Sequence, residues 1–178
     1  MKRSLSFFPP VVFFTCLILL FFLVFVAGRP AAGESRLSLL ENDFLSGMAR
    51  VNMFQVRLGV LASERRGVNN DVRDFGRRMV ETHSKLQEDL KRIAVKYKIF
   101  LPDRMDPFYK EEIERMTLMP PGEFGRNYRD MMIRQHGRDI AVLKKISEGA
   151  KIPEIRQFAR EVLPKTKEML EKARAMEI

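Results

Sequence analysis

From Leu37 to the C-terminus the apolar residues of this chain recur every three to four positions, in four long stretches separated by turn-forming residues. Residues at that spacing share one stripe of an α-helix, so each stretch has one face to bury and needs three others to bury it against. The first runs from about Glu41 to Arg65, with Phe44, Met48, Val51, Gly59 and Ala62 inward. Gly67 and Asn69-Asn70 mark the turn after it. The second continues to about Lys98 with Val72, Phe75, Met79, His83, Leu86, Leu90, Ile93 and Tyr97 in its stripe. The third spans about Glu123 to Glu148, with Tyr128, Met132, His136, Leu143 and Ile146 inside. Pro153 suits the first turn of the last, which buries Ile155, Phe158, Val162, Met169, Ala173 and Met176 and carries Pro164 as an expected kink.

Between the second and third stretches, Ile99 to Gly122 holds Pro102, Pro107, Pro120 and Pro121, with room for a short helix over Phe108–Met119. Short turns make two antiparallel hairpins, and the long middle connection can return the chain along the bundle. That is the plan of an all-α, ferritin-like four-helix bundle. An up-down-up-down bundle, which would not need that length, ranks second.

Ahead of the helices, Lys2 and Arg3 precede an apolar run from Val11 to Ala27. Charge followed by apolar residues is the order of a secretory signal or signal anchor. The length lies between a cleaved signal and a membrane span, and small residues after Val26 (Ala27, Gly28) allow cleavage. Either way the remainder is exported. The expected divisions are residues 1–28 as signal peptide or anchor, 29–38 as tether and 39–178 as bundle. Localisation is then periplasmic, with residues 11–27 in the inner membrane if uncleaved.

The net charge is +9, and +7 without Lys2 and Arg3. Such a surface suits weak attraction to anionic lipid or an acidic envelope protein. No Cys/His finger spacing, aromatic ribonucleoprotein motif or tryptophan accompanies it, so nucleic acid is not an expected partner. The single cysteine, Cys16, lies in the leader, which leaves the folded part without a disulfide or thiolate site.

Each long helix carries a polar residue near the middle of its inward face: Asn52 and Gln55, then His83, then His136 with Asp139, then Thr166. In register they form one polar layer in an apolar core. One reading is a hydrogen-bonded layer with neutral histidines, since buried polar groups are nearly always paired. The other is a metal site with His83, His136 and Asp139 as ligands and Gln55 as a weak fourth, suited to iron, manganese or zinc. A ferritin-type di-iron site needs Glu-x-x-His on two helices, but Val80 and Ile133 stand three before the histidines. Carboxylate supply favours the structural layer and no cofactor.

The run Asp74-Phe75-Gly76-Arg77-Arg78-Met79-Val80-Glu81-Thr82-His83-Ser84, with Leu86, Leu90, Ala94 and Leu101-Pro102, resembles the domain of unknown function 4142 family. Phe124-Gly125-Arg126-Asn127-Tyr128 through His136, and Leu163-Pro164, fit the same pattern. The resemblance implies an exported or membrane-anchored bacterial protein of ferritin-like fold. It also marks departures. Gln55 stands where members carry Glu, Thr82 and Gly125 where they carry Asp, and Met169 where they carry a third His. The expected function is an exported cell-envelope bundle with a non-enzymatic structural, accessory or binding role. The alternative is a degenerate metal-binding or metal-dependent stress protein.

Overall fold

The computed structural model describes residues 38–178. Among them are five helices and no strand: α1 (Leu39–Glu64), α2 (Asn70–Tyr97), α3 (Pro107–Leu118), α4 (Pro121–Gly149) and α5 (Pro153–Arg174). None of these is long and apolar enough to cross a membrane. The apolar run and the tether lie outside the described residues. Helix starts follow local chemistry. Ser38 and Glu41 form a reciprocal capping box at α1, and Asn69 Oδ1 accepts from the Asp71 amide at 2.9 Å to start α2. Proline occupies the first turn of α3, α4 and α5, where a missing N–H costs nothing. That is why α4 starts at Pro121, ahead of the expected Glu123. α5 runs unbroken as a helix through Pro164.

α1 and α2 pack as one antiparallel hairpin, and α4 and α5 as another. The first hairpin closes on two facing glycines. A Cβ on Gly76 would sit 2.7 Å from the Gly59 carbonyl and 2.8 Å from the Ser63 amide, both backbone atoms. Helices pack this closely only where a side chain is missing from the crossing. Gly76→Ala is therefore expected to lower stability by about 1–3 kcal/mol, the usual cost of overpacking, despite alanine's better helix propensity. Gly137→Ala in α4, where a Cβ meets nothing within 4 Å, is expected to raise it by up to about 1 kcal/mol. Urea denaturation of both variants checks the opposite signs.

End contacts fix the helix directions. The Arg65 guanidinium lies 4.5 Å above the Phe124 ring, joining the end of α1 to the start of α4. A Cβ on Gly125 would meet Val72, so α2 and α4 start at the same end and run parallel. At the opposite end Glu41 Oε1 accepts the Ile152 amide at 2.7 Å, which ties the starts of α1 and α5 together. The middle segment makes this order possible by running along α1. Arg50 pairs with Asp106 at 3.1 Å, Tyr109 stacks on Phe54 at 4.6 Å, and Arg65 donates to the Thr117 carbonyl at 3.2 Å.

The apolar core falls into two clusters. One contains Phe44, Leu90, Leu143 and Ile155, and the other Leu58, Phe75, Tyr128 and Met169. Asn52 on α1, His83 on α2, His136 and Asp139 on α4 and Thr166 on α5 lie between the stretches that feed these clusters, while Gln55 follows Phe54 of the second. Val51, read as core, is only half-buried, because that side of α1 borders a groove.

Candidate functional site

All six residues of the expected layer are buried: Asn52, Gln55, His83, His136, Asp139 and Thr166. The structure brings His83 and His136 together, with ring centroids 6.0 Å apart. His83 Nδ1 is 3.0 Å from Asn52 Oδ1, an acceptor, so His83 carries its proton on Nδ1. Asn52 in turn donates to Gln87 Oε1 at 3.4 Å. His136 Nδ1 is 2.8 Å from the Met132 carbonyl and is a donor for the same reason. Both rings therefore turn a bare Nε2 lone pair into the interior, and neither Nε2 has a hydrogen-bond partner among the described residues. Burial, and then the neighbouring His136, push the His83 pKa down to about 3; burial lowers that of His136.

Asp139 stands apart from the pair. Gln135 Nε2 donates to its Oδ1 at 2.8 Å, and Gln55 Nε2 to its Oδ2 at 3.1 Å. Burial raises its pKa to about 6 against the opposing pull of the two amides and Arg138. Thr166 spends its hydroxyl on the Val162 carbonyl of its own helix at 3.1 Å and joins no other member of the layer. The layer is thus a histidine–asparagine pair, a histidine bonded to its own helix, and a carboxylate held by two glutamines.

A metal ion would find two donors here, His83 Nε2 and His136 Nε2, and Gln55 Oε1 is a third buried acceptor with no partner among the described residues. Asp139 does not complete a set with them. Among the described residues no three His, Cys, Asp or Glu side chains come together as a metal-binding group.

Sequence reasoning missed Gln135, which is buried and holds Asp139, although its place seven residues after Tyr128 and four before Asp139 puts it on the same face of α4. It also missed the buried Glu41. Burial pushes the Glu41 carboxyl up, and the Ile152 amide and Ser38 more than offset this, leaving it below the usual carboxylate range. The Ser38-x-x-Glu41 spacing signals the capping box, but not the partner on α5.

The fold and its centre define an all-helical protein with a buried polar layer built around a histidine pair. The family model described as Domain of unknown function (DUF4142) matches residues 27–176, and the chain belongs to that family. No curated protein matches it. Among solved structures, the crystal structure of a DUF305 fragment from Deinococcus radiodurans is similar at a TM-score of 0.69 and 14% identity. The match covers 78% of this chain and 95% of that one, and at such identity the likeness is one of fold alone.

Proposed function

We propose that this is an exported cell-envelope protein, ferritin-like in the order of its helices, with a non-enzymatic accessory or binding role. Its polar centre serves to fix the register of the helices. The observation that carries this reading is the internal bonding of the layer. Each histidine spends its one proton on an interior acceptor, and both Asp139 oxygens are held by amides. Such an arrangement specifies a packing. The return of the middle segment along α1 supports the ferritin-like order. Export rests on Lys2, Arg3 and the apolar run 11–27, and the basic surface suits anionic lipid or an acidic envelope partner.

On this reading the purified protein contains well under one metal ion per chain. His83→Leu with His136→Leu still folds, at a cost of about 1–3 kcal/mol for the buried Asn52 oxygen that loses its partner. Elemental analysis and a circular-dichroism melt test the two statements, and intact-mass measurement with cell fractionation tests the leader. An unfolded double variant, or a stoichiometric metal, would sink the reading.

A second reading is favoured by the two bare Nε2 lone pairs. Here the centre is the remnant of a metal site for iron, manganese or zinc, with His83 and His136 as ligands and Asp139 nearby. It requires bound metal after growth in medium rich in those ions.

A further inference from the structure

A groove of about 600 Å³ opens between the N-terminal half of α1, α3 and the C-terminal half of α4. That volume lies within the roughly 300–1,000 Å³ of small-molecule sites. Phe44, Met48, Val51, Val142 and Ile146 wall it, and Phe108 stands at its lip, 68% exposed. Gly47 leaves part of the α1 wall bare, and a Cβ there would meet nothing within 4 Å.

The polar groups of the groove select the charge of a ligand. Asp139 is buried with both oxygens taken by glutamine amides, so it requires no cation from outside. Arg138 and Lys145 are seven residues apart, on one side of α4, and both are exposed. Neither is in an ion pair among the described residues. Arg138 donates one N–H to Gln135 Oε1 at 2.7 Å and keeps the others. Asp43, exposed on α1, is the other carboxylate that lines the groove among the described residues. The result is an apolar trough with a cationic edge.

We propose that this groove binds a single-chain anionic amphiphile of the long-chain fatty-acid class, its chain along Phe44, Met48 and Ile146 and its carboxylate at Arg138 and Lys145. Leu40, in the first turn of α1, also lines the groove, and the apolar run ends at Ala27, eleven residues before Ser38. Eleven residues reach at most about 40 Å. If that run is held in a bilayer, a source the proposal takes from the export reading above, the mouth lies within reach of membrane lipid. Binding itself does not depend on that reading.

The test uses the full chain in phosphatidylcholine vesicles containing palmitic acid with a photoactivatable diazirine in its chain, with adducts mapped by mass spectrometry after irradiation. Adducts are expected on residues 44–51 and 142–146, and unmodified palmitate should compete them away. Gly47→Trp should abolish them by filling the trough. Arg138→Glu with Lys145→Glu should weaken them about tenfold, the combined effect of two rim charges. An alkylamine probe of the same length should label these residues poorly. Adducts confined to residues 11–27, labelling that palmitate cannot compete, or equal labelling by the amine would overturn the proposal. Competition in the unsubstituted chain decides the matter even if Gly47→Trp does not fold, and cell fractionation separately decides export.

Discussion

Lowering the pH from 8 to 4 is expected to cost the unsubstituted chain about 3 kcal/mol of stability relative to His83→Leu. In the folded protein His83 takes up a proton only near pH 3, because burial and then the adjacent His136 oppose its charge. In the unfolded chain it titrates near the ordinary value of 6.5. A group whose folded pKa is depressed draws the chain toward the unfolded state once the pH falls below the unfolded value. The contribution is therefore intact above about pH 6.5 and declines by about 1.4 kcal/mol per pH unit down to the folded value. Asp139 acts with the opposite sign. Its pKa, raised to about 6, means that ionising it between the ordinary 3.8 and 6 weakens the fold as the pH rises. Both chains carry Asp139, so its effect cancels in the comparison, whereas the raw curve of either chain mixes the two. Urea denaturation at one-unit steps reads the difference. Parallel curves would mean that the folded state admits a proton to His83, and hence that the layer opens to water.

The helices and their inward faces are readable in the sequence because the period that makes a stripe also makes it bury. His83 and His136 meet because each lies at the middle of its stripe, and the long connection returns the chain so that the second and third long helices run parallel. The partners within the layer are another matter. Stripe position says that Asp139 is inside; it does not say that Gln135 and Gln55 reach its two oxygens before either imidazole does. Thr166 lies in the layer by position but bonds back to its own helix, the usual habit of a helical threonine. Glu41 reads as a capping residue, while its second oxygen holds an amide 111 positions away, a contact that only the assembled ends of α1 and α5 create. The half-burial of Val51 depends on how far α3 and α4 stand off α1, which no period encodes.

Gln55→Glu should be the most costly single change in the layer at pH 8, and the one that separates its two readings. The side chain keeps its shape but loses the amide that donates to Asp139 Oδ2 at 3.1 Å. It leaves two carboxylates side by side in the interior. Like charges at that distance cannot both ionise, so one carboxyl should keep its proton well above the ordinary range. A raised folded pKa gives stability that is present below the unfolded value and lost as the pH rises through the folded one. The variant should thus be nearly as stable as the unsubstituted chain near pH 4, where a shared proton restores the bond. At pH 8 it should be weaker by about 3 kcal/mol or more, the range found when a buried ionic contact is broken from one side. A divalent ion then becomes informative. With His83 Nε2 and His136 Nε2 already bare, a second carboxylate would raise the donor set to one that holds zinc or manganese. Binding at a hundred times Kd would return about 2.7 kcal/mol. Recovery at pH 8 on adding zinc or manganese, lost again in His83→Leu, would mean that the layer keeps the geometry of a metal centre and lacks only the carboxylate. Absence of recovery would mean that the histidines and acids do not converge, as the separate bonding of Asp139 implies, and that the layer serves packing alone.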